Sequence, residues 1–197
     1  DSYSSYNDSL RKSTEFVKRF SKEFNDRRVK FLIENLFPGV KKQASLFCSL
    51  SEIKEYMSLV PQSVGLLLDL GHLNISSNLL EFDRDEFLDD YLDEFGSRLY
   101  EIHISENDGF RDLHLPPKSN SWQLNALRKI HSIPLQEGSE RIYCLEARRA
   151  TEQELKVSLE IINRIISVLS CYQSDAILLI LLLLFLLIII FYYITIF

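Results

Sequence analysis

The chain holds 197 residues, 46% of them hydrophobic and 25% charged, a balance that excludes a disordered polar chain and a collagen-like repeat and allows one globular domain. With 22 Lys and Arg against 28 Asp and Glu, the formal net charge of −6 argues against a sequence-independent nucleic-acid binder and leaves a small ligand as the better fit. The three cysteines, Cys48, Cys144 and Cys171, form no C-x-x-C pair, so neither a disulfide framework nor a zinc knuckle is indicated, and a reducing compartment such as the cytoplasm suits the chain.

The first residues, DSYSSYNDSLRKSTEF, lack the basic segment and apolar core of a signal peptide. From about Asn7 to Asn25 the pattern is that of a polar amphipathic helix, and the apolar run Val29 to Ile33 then reads as a strand ending on Glu34 before a Pro38-Gly39 turn. Ser49-Leu-Ser-Glu52 has the form of a capping box and opens a helix to about Leu59, followed by a strand over Val64 to Leu68. Asp83-Arg-Asp-Glu86 starts another helix, through about Phe95, and Leu99 to Ile104 alternates as a third strand. Trp122 to Ile130 is helical, and Arg141 to Leu145 is a fourth strand. Thr151-Glu-Gln-Glu154 caps a last helix whose expected apolar stripe is Leu155, Leu159, Ile162, Ile166 and Leu169. The count is four strand-plus-helix units.

Repeated units of this kind imply parallel strands, because parallel neighbours need a long connection that usually contains a helix. Each expected strand also ends near a chemically loaded residue: Glu34, Asp69, His103 and Glu146. A ring of polar side chains at successive strand ends is how a (β/α)8 barrel builds its site, whereas an open sheet concentrates its ligand at one switch point. Two Glu, one Asp and one His offer mixed oxygen and imidazole ligands to a divalent ion, Mn²⁺, Mg²⁺, Co²⁺ or Zn²⁺, and ligand type alone does not choose among them. A second constellation is local: Asp69 is followed three residues later by His72, and His103 is followed by an Asn-Asp-Gly turn and then the pair Asp112-x-His114.

These segments resemble the xylose isomerase-like TIM barrels, which include sugar-phosphate isomerases and epimerases, D-tagatose 3-epimerase and endonuclease IV. The resemblance runs from about Val29 to Ile166 and corresponds to the C-terminal four βα units of the barrel. It rests on Ile33-Glu34-Asn35, on Leu68-Asp69-Leu-Gly-His72, on His103-Ile-Ser-Glu-Asn-Asp-Gly109 with Asp112-Leu-His114-Leu-Pro116, and on Leu145-Glu146-Ala-Arg148. It implies that Glu34, Asp69, His103 and Glu146 hold a divalent metal ion. In the endonuclease IV branch His72, Asp112 and His114 look like further metal ligands; in the epimerase branch the residue matching His72 contacts substrate. The sequence departs from the family at Pro117-Lys118-Ser119-Asn120-Ser121, where relatives commonly carry a Gly-rich stretch, and in showing four strands where the barrel has eight.

The function this resemblance implies is a metal-dependent sugar or sugar-phosphate isomerase or epimerase. Glu34 and Glu146 would flank the reacting carbon and move its proton through a metal-stabilised enediolate, with Arg111 and Arg148 orienting hydroxyls or a phosphate. Two alternatives stand beside it: an endonuclease IV-like phosphodiesterase on DNA, against which the net charge and the acidic Glu81 to Glu94 segment count, and a truncated, inactive half-barrel serving as an interaction module. The domain reading is a partial barrel over residues 1–170, a linker at 171–175 and a hydrophobic segment at 176–197. Ala176 to Phe197 carries no charge and would extend roughly 33 Å as a helix, enough to cross a bilayer core. The expectation is thus a cytoplasmic domain for which a C-terminal membrane anchor and a homo-oligomer that completes the barrel are both open, the competing reading of 176–197 being a non-native tail.

Overall fold

A computed structural model describes residues 5–26, 29–39, 45–135 and 138–167. Helix and strand alternate through it: α1 Tyr6–Asp26, β1 Leu32–Glu34, α2 Leu50–Leu59, β2 Gly65–Asp69, α3 Leu70–Leu79, α4 Arg84–Phe95, a 3-10 turn Gly96–Arg98, β3 Leu99–Ile104, α5 Trp122–His131, β4 Ile142–Leu145 and a helix α6 over residues 152–167. The linker 171–175 and the apolar run 176–197 lie outside the described residues. Among those described, no helix is long and apolar enough to cross a membrane.

Local signals account for most of these boundaries. At α2 the Ser49 Oγ accepts the Glu52 amide, while the Ser49 and Cys48 amides donate to Glu52 Oε2, so the capping box closes as the sequence predicts. Thr151 and Glu154 close the same reciprocal pair at the head of α6. At α4, Asp83 Oδ1 accepts from the amides of Asp85 and Glu86. Helix α3 is absent from the sequence reading. It begins without a loop, on Asp69, whose Oδ1 accepts the His72 amide at 2.7 Å, and its residues Leu70 to Ser77 are all buried. A helix buried all round has no polar stripe, so it shows no amphipathic period.

Two expectations shift in register. The first strand begins at Leu32 rather than Val29, whose amide instead bonds back to Phe24 at the end of α1. In α6 the buried stripe is Ser158, Ile162 and Ile165, and Leu159 is exposed, so the helix is rotated by about one position from its apolar pattern. Leu169 lies outside the described residues.

The four strands form one parallel sheet in the order β1-β2-β3-β4. An order that follows the sequence is that of a barrel segment; a doubly wound sheet reverses at a switch point. The two faces differ in kind. Ile33, Leu66, Leu68, Ile102 and Ile104 are buried in one core with the helical residues Tyr56, Leu88, Tyr91, Leu124 and Leu127. The opposite face presents Glu34, Leu67, Glu101, His103 and Cys144, which are only partly buried. Fully burying a Leu or Ile is worth about 1.5–3 kcal/mol, so a one-residue slip that exchanged the faces would lose several such contributions and bury charge. The strand starts are tied by two arginines. Arg98 donates to Val64 O and Pro61 O, and Arg141 donates to the carbonyls of Leu99, Gly96, Ile130 and Ile133.

Candidate functional site

Because the strands are parallel, their C-terminal ends open on one side, and the four strand-end residues meet there. Glu34 ends β1, Asp69 ends β2, His103 is the last but one residue of β3, and Glu146 follows β4, its amide bonded to Ile104 O. His103 Nδ1 lies 3.5 Å from Glu146 Oε1, 3.7 Å from Asp69 Oδ2 and 3.8 Å from Glu34 Oε1. One imidazole nitrogen therefore faces a carboxylate from each of the other three strands.

The strand ends are held in place by Asn35. Its Nδ2 donates to Asp69 O at 3.0 Å and its Oδ1 accepts the Asp69 amide at 2.7 Å, so a side chain continues the β1–β2 ladder beyond the point where the strands stop pairing. This aligns Glu34 with Asp69. His72, on the first turn of α3, places Nδ1 3.0 Å from Asn35 O and 3.4 Å from Glu34 Oε1. If Nδ1 carries the proton for Asn35 O, Nε2 is left as a free lone pair on the side of Asp112 Oδ2, 3.9 Å away.

The loop after β3 brings the remaining pair. Glu106 and Leu115 exchange both backbone hydrogen bonds, at 2.8 and 2.9 Å, which folds residues 106–115 back over the strand ends. Asn107 fixes the start of this turn by accepting the Gly109 amide and donating to Gly71 O, and Gly109 takes φ +82°. His114 sits at φ +47°, an unfavourable region for a residue with a Cβ. That backbone directs its ring inward, with Nε2 2.8 Å from Asp112 Oδ2 and Nδ1 3.4 Å from Glu146 Oε2.

Glu34, Asp69, His103, Glu146, His72, Asp112 and His114 are thus one connected cluster. The two arginines stand apart from it. Arg111 is an exposed side chain paired to Asp108, and Arg148 is exposed in the turn after β4. Three residues escaped the sequence reading: Asn35 as the strand clamp, Glu101, whose Oε1 lies 3.2 Å from His103 Nε2, and Cys144 beside Glu146. A signal for the last two was present, since Glu101 and His103 are two residues apart on a strand, and Cys144 and Glu146 are two apart in the extended run that ends β4, so each pair shares a face.

The donor set fits a divalent cation on the chemistry of its own atoms. Asp69 Oδ2, His103 Nδ1, Asp112 Oδ1 and His114 Nδ1 are buried without a hydrogen-bond partner, and His114 Nε2, although 2.8 Å from Asp112 Oδ2, is not aligned for a hydrogen bond to it, an unusual concentration of unsatisfied groups. The carboxylates of Glu34, Asp69, Asp112 and Glu146 have histidines as their near neighbours, and Glu34, Asp69 and His103 each offer a ligand atom within 4.8 Å of the others. Burial pushes Glu34 up from the usual carboxylate range, with Asp69 and Glu146 adding to the rise and His72 and His103 opposing it. Burial likewise pushes Asp69 up, against the lowering by His72 and His103. A bound cation would reverse both shifts.

A parallel β/α sheet in sequential order, helices on one face and a carboxylate–histidine cluster at the C-terminal strand ends, defines half of a β/α barrel with its site side. The sequence matches the xylose isomerase-like TIM barrel family over residues 2–165, and the chain belongs to that family. Among solved structures it is similar to a D-psicose 3-epimerase determined in the presence of D-fructose, with a TM-score of 0.50 and 13% identity over 89% of this chain and 58% of that one. A D-psicose 3-epimerase from Clostridium cellulolyticum H10 with D-tagatose is similar at a TM-score of 0.50 and 14% identity, over 88% of this chain and 58% of that one. The chain therefore spans little more than half the length of these enzymes. No curated protein matches the sequence.

Proposed function

We propose that the chain carries the cation-binding and proton-transfer side of a sugar or sugar-phosphate isomerase or epimerase. The observation that supports it most is the convergence of Glu34, Asp69 and Glu146 on His103 Nδ1, each from a different strand and each within 3.8 Å. On this reading these four residues hold a divalent ion. When bound, such an ion supplies Lewis-acid polarisation of a carbonyl and a neighbouring hydroxyl oxygen. The chain's own groups do the rest. Glu34 and Glu146 come from the first and last strands and stand on two sides of the cluster, so one can remove a proton from a substrate carbon while the other returns it. His72 Nε2, Asp112 and His114 line the rim and can hold substrate hydroxyls, while Arg111 and Arg148 would have to swing inward to reach a phosphate. The barrel half then occupies residues 1–170, and the outer edges of β1 and β4, unpaired among the described residues, are where further strands would pair.

The test is metal stoichiometry by elemental analysis of the full chain, with a Glu34→Ala/His103→Ala variant as control. An assay for C3 epimerisation of ketohexoses, beginning with D-psicose, D-fructose and D-tagatose, accompanies it. About one Mn, Co, Zn or Mg per chain, lost in the variant, supports the reading. A folded wild type that takes up no ion overturns it, and leaves a half-barrel that acts through interactions. A second reading draws on the approach of His72, Asp112 and His114 beside the first cluster: two or three ions per chain, with cleavage of a DNA phosphodiester, would favour an endonuclease IV-like activity.

A further inference from the structure

One cleft residue has no part in that chemistry. Cys144 is paired in register with His103, which is itself paired with Asp69, so Asp69, His103 and Cys144 form a row across three neighbouring strands on the open face of the sheet. Two residues on, just past the end of β4, comes Glu146. His103, Cys144 and Glu146 each offer a ligand atom, and these atoms lie within 4.8 Å of one another. Ligands on one zinc ion are separated by no more than the sum of their two bond lengths, about 4.4 Å for sulfur and nitrogen, so the set closes on an ion with a small movement.

We propose that Cys144, with His103 and Glu146, is a thiolate-bearing site for a thiophilic divalent cation of the Zn²⁺ or Cd²⁺ class. The inference rests on the reading that this cleft binds a divalent ion, and deepens it by naming the kind of ion. Independent observations point into the same place. Asp69, whose side chain is 1% exposed, has its Oδ2 buried without a hydrogen-bond partner, and His103 Nδ1 beside it is also unpartnered. Behind the ring, Glu101 Oε1 stands 3.2 Å from His103 Nε2, the outer carboxylate that commonly orients a metal-binding histidine. Oxygen and imidazole ligands alone also admit the harder ions Mg²⁺ and Mn²⁺, whereas a thiolate among them tilts the site toward softer ions.

A cysteine thiol with no cation beside it is mostly protonated at neutral pH. Binding breaks the S–H bond, sends the proton to solvent and forms a sulfur–metal bond, with no oxidant or reductant required. Cys48 does not compete. It is buried, its Sγ donates to Ser45 O, and its thiol is pushed up to about 12.

The metal-free full chain is titrated with Co²⁺ and then with Cd²⁺, following the visible bands that report any bound cobalt and the near-ultraviolet band that reports thiolate-to-metal charge transfer. Expected is a charge-transfer band in the wild type that survives Cys48→Ser and Cys171→Ser and disappears in Cys144→Ser, while Cys144→Ser still binds cobalt. The wild type should also release about one more proton per ion than Cys144→Ser, and bind Cd²⁺ about tenfold more tightly, with Mn²⁺ affinity changed less than about twofold. Cobalt bound without the charge-transfer band, or a band that persists in Cys144→Ser, overturns this inference and leaves the metal-site reading standing. A wild type that binds no cobalt at all overturns both.

Discussion

Asn35 shows how much of the site depends on one neutral side chain. It is 4% exposed and satisfies both backbone groups of Asp69, the N–H and the C=O, across the gap between β1 and β2. Asn35→Ala leaves those buried groups without partners, which costs about 1–3 kcal/mol, and releases the strand ends that carry Glu34 and Asp69. Chemical denaturation should show that loss, together with weakened metal uptake; a stable variant with full uptake would mean that water replaces the clamp. Asp69 gives a prediction in pH. Its folded-state pKa is raised, chiefly by burial. As pH rises the unfolded chain ionises first, so this group's contribution to stability falls from the ordinary carboxylate range upward, and the loss is complete above the raised folded value. Below both values it contributes nothing. Urea unfolding of the metal-free chain from about pH 4 to about pH 7 should therefore show Asp69→Asn gaining on the wild type as pH rises. Parallel pH profiles would contradict this.

At the scale of elements, what could be read from the sequence follows from which signals are local. The capping groups Ser49/Glu52, Asp83 and Thr151/Glu154 each act within a few residues, and the helices they start lie where the sequence puts them. Strand β3 spans Leu99–Ile104 as the alternation of Tyr100, Ile102 and Ile104 indicates, although Tyr100 sits at a register shift opposite Leu66 and Leu67. The strand-end residues Glu34, Asp69, His103 and Glu146 were legible because polar groups broke apolar runs. Helix α3 was not, because it is buried on every side and its cap, Asp69, reads as a site residue rather than as a helix start. Nor was the clamp of Arg141, which depends on carbonyls from two other segments, Gly96 to Leu99 and Ile130 to Ile133. Arg141 ties the start of β4 to Leu99, Gly96, Ile130 and Ile133. Arg141→Lys cannot reproduce that planar fork and should lose most of what Arg141→Ala loses, about 2–4 kcal/mol, seen as a lower denaturation midpoint with an unchanged site chemistry. A lysine variant as stable as wild type would show that a point charge suffices.

The whole molecule sets its apolar and its charged material on opposite sides of one sheet. Helices seal one face, and the other gathers Glu34, Asp69, Glu101, Asp112 and Glu146 around His72, His103 and His114. Like charges held this close oppose folding unless something positive lies among them, and histidines supply a full positive charge only when protonated. Stability at neutral pH should therefore depend on divalent cation in a way that general ionic strength does not reproduce. A ligand present at about 100 times its Kd stabilises by about 2.7 kcal/mol, which for a domain of this size is a Tm rise of roughly 5–10 °C. Thermal unfolding of the full chain with Mn²⁺, Zn²⁺ or chelator should show such a rise, and Glu34→Ala/His103→Ala should abolish it. Sodium chloride at matched ionic strength is the decisive control. It screens exposed charges within about a Debye length but enters a buried cluster poorly, so it should give only a fraction of the divalent effect. An equal rise with sodium, or a rise kept in the double variant, would locate the stabilising charge on the surface and not in the cleft.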